Sequence, residues 1–339
     1  MQCDTGPLFH LCNSALHFCG LAKQSKLSDN QTMKKPSRDI SRRSLLLGAG
    51  SLAAAAGISQ LTSAKELLMI FDPSRKSDSA EMPALFIGHG SPMNAIEDNQ
   101  YGQRWFELGK EIGRPKAILC VSAHWLSAGT WVTQMEQPRT IHDFYGFPQA
   151  LHDMQYPAPG NPELAAELRR LSKNPKIQAD EKSWGLDHGT WSVLAKMYPE
   201  ANIPVIQLSI DMSEPASFHF ELGKTLHQLR KQGVLILGSG NIVHNLRRID
   251  WNSPNKGSDW AVEFDEWVKA RLEVRDFKSV TEDFGKTLAG QLSVPTPDHY
   301  LPLMYVLGAA GDKEEVKWEL EGMDMGSLSM RALSFGRKI

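Results

Sequence analysis

The chain has 339 residues, is 41% hydrophobic and 22% charged, and carries 37 Lys and Arg against 39 Asp and Glu. Those values give ample material for a packed core and exclude collagen-like, low-complexity and disulfide-scaffold classes. A formal net charge of −2 speaks against a strongly basic nucleic-acid-binding protein.

The first 64 residues are set apart by their pattern. Ser41-Arg-Arg-Ser-Leu-Leu-Leu47 precedes a Gly- and Ala-rich apolar segment and then Leu61-Thr-Ser-Ala64, which supplies a small-residue cleavage site. This predicts a leader over 1–64 with a twin-arginine export signal. The signal proper is expected over 33–64, because Met33 ahead of Lys34-Lys35 makes a better start than Met1. The segment Ser44 to Leu61 is broken by serines and is a poor permanent span, so no stable membrane insertion is expected once the signal is removed. The twin-arginine translocase is the expected partner during export and the periplasm the expected destination, with the cytoplasm as the alternative.

Removing 1–64 takes away seven of the basic and three of the acidic residues, leaving 30 against 36. No nucleic-acid partner is expected for a chain of that sign. Cys3, Cys12 and Cys19 leave as well. Cys120 alone remains, so neither an internal disulfide nor a thiolate metal site is available.

Lys65 to Ser79 is polar and predicts a linker over 65–81, followed by one domain over 82–339. The apolar run Pro83 to Ile87 has strand length and ends on Gly88-His89-Gly90. Tyr101 to Ile112 has helical spacing, and Ala117-Ile-Leu-Cys-Val-Ser-Ala-His124 is a second buried-strand run ending on a histidine. A short strand around Thr130 to Gln134 leads into the aromatic loop Thr140 to Pro148. Asn161 and Pro162 predict the N-cap and first position of a helix through Leu171. His188 opens a helix through Met197, Ile203 to Ser209 is a strand, and Glu214 to Gln232 is an amphipathic helix with His219 and His227 facing solvent. Gly233 to His244 repeats the strand-then-histidine design. Ser258 to Leu272 is helical, His299 falls in the first turn of a helix, and Val316 to Leu320 and Ser327 to Ser334 are closing strands.

Strands alternate with helices throughout. This predicts an α/β fold, a single domain with a central mostly parallel sheet flanked by helices. In such sheets the ligand crevice lies outside the carboxyl ends of the strands, so His89, His124 and His244 can converge there on a metal site. His188, bracketed by Asp187 and Gly189, and His299 are further candidates; Asp298 could replace His299 as a ligand. His142-Asp143 in the aromatic loop is either a pair behind the ligands or plain loop structure. Trp125, Trp184, Trp191, Phe144 and Tyr145 are candidate pocket walls or core residues.

Gly88-His-Gly-Ser-Pro-Met-Asn94, Ser122-Ala-His-Trp125, Thr140-Ile-His-Asp-Phe144, Tyr156-Pro-Ala-Pro-Gly160, Gly185-Leu-Asp-His-Gly-Thr-Trp191, Gly238-Ser-Gly-Asn-Ile-Val-His-Asn-Leu246, Pro297-Asp-His-Tyr-Leu-Pro302 and Met325-Gly-Ser-Leu-Ser-Met330 stand in order along the chain. Together they resemble the class III extradiol ring-cleavage dioxygenases, specifically the 4,5-DOPA dioxygenase subfamily, from Met82 to the C-terminus. The resemblance implies a mononuclear divalent metal, Fe(II) for turnover in the wider family, with His89 and His124 as the first two ligands. His299 stands at the third ligand position, where the wider family has a carboxylate, and an all-histidine set also suits Zn(II). The resemblance further implies that His244 is the acid/base and a possible fourth ligand, and that His188 is a second pocket histidine serving in catalysis. The substrates implied are a catechol and O2. Two alternatives remain at this point: a zinc-dependent hydrolase on the same scaffold, and a binding protein without catalysis.

Overall fold

The computed structural model describes residues 81–337. The leader, most of the linker and the last two residues lie outside the described residues, and with them the expected domain boundary at residue 64. Among the described residues no helix is long and apolar enough to cross a membrane.

The strands are β1 (Ala84–Gly88), β2 (Ala117–Ser127), β3 (Trp131–Thr133), β4 (Gln178–Asp180), β5 (Val205–Asp211), β6 (Val234–Gly240), β7 (Val316–Leu320), β8 (Met323–Asp324), β9 (Leu328–Ser329) and β10 (Ala332–Phe335). Eight of them form one sheet in the order β4-β3-β5-β2-β6-β1-β10-β7, while β8 and β9 make a separate antiparallel pair. The centre, β5-β2-β6-β1, is parallel throughout. Antiparallel pairing is confined to the flanks, where β3 meets β5 and β10 meets β1 and β7. The sheet is thus mixed, with the expected parallel arrangement at its centre.

Parallel strands covered on both faces are apolar along their whole length, which is why these runs were legible. In β1, Ala84 and Phe86 enter the core on one face and Leu85 and Ile87 the core on the other. The helices are α1 (Gln100–Ile112), α2 (Gln149–His152), α3 (Pro162–Leu171), α4 (His188–Met197), α5 (Ala216–Arg230), α6 (Asp259–Glu273), α7 (Phe277–Glu282), α8 (Leu288–Ser293) and α9 (Leu301–Ala309). Asn161 caps α3 through Leu164 N–H at 3.0 Å with Pro162 at the first position, as its sequence indicated.

Three expectations need correction. His219 is fully buried, its Nδ1 2.9 Å from the Tyr305 hydroxyl, and His227 is half-buried with Nδ1 2.9 Å from Ala309 O. The reason is α9, which is apolar on every side and packs closely on α5; a Cβ on Gly223 would lie 2.6 Å from Tyr305 O. His299 sits before its helix, which begins at Leu301. The segment Ser327 to Ser334 is two strands rather than one, because β9 turns aside to pair with β8 before β10 rejoins the sheet.

Candidate active site

Five histidines meet on the carboxyl-terminal side of the central strands. His89 follows β1, where Gly90 at φ 58° turns the chain and the His89 N–H donates to Gly240 O at 2.9 Å. His124 lies inside β2 rather than past its end. Pairing of β2 with β6 stops at Ser122, and its register against β5 breaks between Val121 and Leu126. This irregularity re-aims the side chain, as bulges beside active sites do. His188 is the first residue of α4, behind the Asp187 N-cap. His244 lies past β6 and is held by a bridge to Leu328 and by its N–H to Ser293 O at 2.9 Å. His299 is fixed through its carbonyl, which accepts the Asn241 N–H at 2.8 Å.

The rings form two groups. His89 Nε2 and His124 Nε2 are 3.2 Å apart, and the His188 ring centroid is 3.8 Å from that of His124. One ligand atom from each of His89, His124 and His188 falls within 4.8 Å of the others, and the same holds for His244, Asp298 and His299. The groups touch: the His299 centroid is 5.3 Å from His89, 5.0 Å from His124 and 3.5 Å from His244, the last pair stacked within 4° of parallel.

Partners behind the rings set their tautomers. Ser239 Oγ donates to Gly189 O, so toward His89 Nδ1, 3.0 Å away, it acts as acceptor. That places the His89 proton on Nδ1 and the lone pair on Nε2, facing the cluster. Asp298 does the same for His299 through a short contact to Nδ1. Asp143 reaches in from the aromatic loop, with Oδ2 3.4 Å from His124 Nδ1 and 3.0 Å from His188 Nδ1. Both contacts are in ion-pair range but off the hydrogen-bond line. Among the described residues the His244 ring has no hydrogen-bond partner; its contact is the stack on His299.

The electrostatics follow from burial. His89 and His124 are held well below the usual imidazole pKa, first by desolvation and then by neighbouring imidazoles. His244 is lowered in the same way, against the pull of Asp298. Burial would raise Asp143 and Asp298, yet His188 and His299 respectively hold the two carboxyls below the usual range. Asp187 is pushed up to about 6 by burial and by the Asp143 charge, against hydrogen bonds from Ser122 and Gln207. Imidazoles whose protonation is disfavoured at His89, His124 and His244, together with carboxylates behind neighbouring rings, are a donor set that fits a divalent metal ion.

The expected aromatic walls divide. Trp125 and Trp184 stack with centroids 5.5 Å apart and Phe144 lies edge-on to His188 at 5.6 Å, whereas Trp191 is a core residue whose Nε1 donates to Ile141 O. Tyr145, 94% exposed, faces solvent and walls nothing. Sequence reasoning passed over Ser239 and left the His142-Asp143 pair open between a place behind the ligands and plain loop structure; the small residues of β6 were the available signal for Ser239.

Residues 83–329 match the family described as the catalytic LigB subunit of aromatic ring-opening dioxygenase. The chain belongs to this family. Among LigB-family relatives, the 4,5-DOPA dioxygenase extradiol of Escherichia coli K12 is 51% identical over 264 residues, spanning 76% of this chain and 96% of that protein. The 4,5-DOPA dioxygenase extradiol of Beta vulgaris is 36% identical over 264 residues, 74% of this chain and 95% of that protein. The crystal structure of an uncharacterized protein from Escherichia coli K12 matches with a TM-score of 0.66 and 47% identity, covering 75% of this chain and 100% of that one. The LigB membership makes the protein an aromatic ring-opening dioxygenase, an oxidoreductase acting on a small aromatic molecule and O2. The hydrolase alternative is not favoured by these relationships, nor is a binding protein without catalysis.

Proposed function

We propose that the protein is an extradiol dioxygenase for catechols of the DOPA type, with one divalent metal ion in the histidine cluster. The observation that carries this reading is the convergence of five imidazoles, three buried and two half-buried, four of them with an oxygen partner facing Nδ1. The likeness to relatives named 4,5-DOPA dioxygenase extradiol supports the choice of substrate.

His89, His124 and His299 are the proposed ligands. Parallel rings 3.5 Å apart point their in-plane lone pairs side by side rather than at a common centre. His299 and His244 therefore supply one inward ligand between them, and the carboxylate behind His299 selects it. His244, free of a hydrogen-bond partner among the described residues, is left as the acid/base, and His188 as a second proton acceptor. A bound ion supplies Lewis acidity toward the two catechol oxygens and, as Fe(II), the electron path between ring and O2. Both oxygen atoms enter the product as the ring bond beside the diol breaks, so no external reductant is needed. His244, held neutral at pH 7, can take a catechol proton and return it to the ring-opened product.

Fe(II) is the metal proposed for turnover; Zn(II) suits the same donors but lacks the redox step. Oxygen uptake with L-DOPA and simple catechols, recorded after anaerobic loading with Fe(II) or Zn(II), tests the reading. Uptake with Fe(II) alone, with a yellow ring-opened product, is the expected result. No uptake by metal-loaded protein across several catechols sinks it.

Export by the twin-arginine route to the periplasm is proposed from Ser41-Arg-Arg-Ser44 and the segment after it. Cell fractionation that finds the processed protein in the cytoplasm alone overturns that part.

A further inference from the structure

Among the described residues, Asp143 is the carboxylate that comes within ion-pair range of two of the five imidazoles. Its Oδ2 lies 3.4 Å from His124 Nδ1 and 3.0 Å from His188 Nδ1, and its Oδ1 accepts the His188 backbone N–H at 2.9 Å. Both Nδ1 contacts are ion-pair contacts rather than aligned hydrogen bonds, and neither Nδ1 has a hydrogen-bonding partner elsewhere among the described residues. His188 Nδ1 is itself buried, so the nearby carboxylate is what a donor there can use.

The loop that carries Asp143 is fixed residue by residue. Ile141 N–H donates to Leu186 O at 2.7 Å, Ile141 O accepts from Trp191 Nε1 at 2.8 Å, and His142 Nε2 donates to Met154 O at 2.8 Å. Thr140 pairs with Leu186 in a bridge and accepts the Tyr156 N–H at 3.0 Å. These bonds tie the loop to both sides of the α4 start, which delivers the carboxylate to the first N–H of that helix. A helix N-terminus favours negative charge at that spot.

We propose that Asp143 is a positioning residue for ring opening: one carboxylate keeps the Nδ1 proton on both His124 and His188, leaving Nε2 as the lone-pair nitrogen of each. The inference rests on the reading of the cluster as the reaction centre. Its chemical consequence is a linked pair. A ring on β2 proposed as ligand and a ring on α4 proposed as proton acceptor face the same carboxylate oxygen, Oδ2, so a change at Asp143 disturbs both at once.

The test reads tautomers directly. In protein labelled with 15N-histidine, two-bond proton–nitrogen correlations at pH 8 report which ring nitrogen carries the proton, with His124→Gln and His188→Gln assigning the signals. Wild type should show Nδ1–H on both rings. Asp143→Asn should lose that preference on both rings together and weaken Zn(II) binding, followed by competition with a chromophoric chelator, by about 10- to 100-fold. Asp143→Glu should restore part of each. Nε2–H on either ring in wild type overturns the proposal without any variant. So does a folded Asp143→Asn protein that leaves both tautomers and the Zn(II) affinity unchanged, or one in which a single ring responds. Correct tautomers in a wild-type protein that takes up no oxygen with Fe(II) leave the positioning role standing and sink the dioxygenase substrate reading instead.

Discussion

The two sides of the histidine cluster are held in different ways. On one side His89, His124 and His188 belong to regular elements or follow directly from one, and Ser239 and Asp143 stand behind their rings. On the other, His244 and His299 come from irregular segments and lean on each other, with Asp298 behind one ring and no hydrogen bond on the other among the described residues. A ligand has to be fixed within fractions of an ångström, whereas a proton carrier benefits from a ring that can adjust. The contrast sets His244 apart as the acid/base, the one of the five rings with no oxygen partner among the described residues, while Asp298 makes a ligand of His299 on the same side and His188 stands by as the second proton acceptor.

The largest expected effect is on the fixed side. His124→Ala removes a proposed ligand and should abolish oxygen uptake while lowering Zn(II) affinity by more than the ~100-fold that an outer partner commands. Retained affinity would break the comparison. His244→Gln should leave metal affinity nearly intact yet slow turnover by about 10²- to 10⁴-fold, the range of a lost general acid/base. Joint loss of affinity and turnover would instead make His244 a ligand. Asp298→Asn should fall between, at about 10- to 100-fold in metal affinity, measured by the same chelator competition.

Acidity gives a fourth test. His89, His124 and His244 are depressed in the folded protein, so below the ordinary imidazole value near 6.5 the unfolded chain binds more protons than the native one. Metal-free protein should keep its full stability above about pH 6.5 and lose it progressively below, read as a falling melting temperature. Bound Zn(II) should raise the melting temperature more at pH 7 than at pH 5, because protons and the ion compete for the same lone pairs. The smallest effect belongs to Tyr145→Ala, at most about 0.5 kcal/mol in stability, since the ring lies in solvent.

The parallel centre of the sheet was readable because β1, β2, β5 and β6 are buried on both faces and so are continuously apolar. The histidines could be read as a convergent set for a related reason: strands of one parallel sheet end on the same side. What escaped was whatever depends on a partner distant in the chain. The burial of His219 is imposed by α9, and nothing in the pattern of α5 announces it. The bulge that turns His124 inward is a register break between β2 and β5, invisible in either strand alone. Asp143 sits in a loop with no period, and its two-ring contact exists only once β2 and α4 are side by side.

Among the described residues, the last strand in sequence, β10, lies between β7 and β1, the first. During synthesis β1 can pair with β6 once residues 234–240 emerge, but its other edge stays open until Ala332–Phe335 leave the ribosome. His299 and the β9 segment that bridges to His244 also arrive in that final stretch. Assembly of the cluster therefore waits for segments late in the domain, and a nascent chain that has not yet extended through Ala332–Phe335 carries a bare β1 edge with no β10 to cover it.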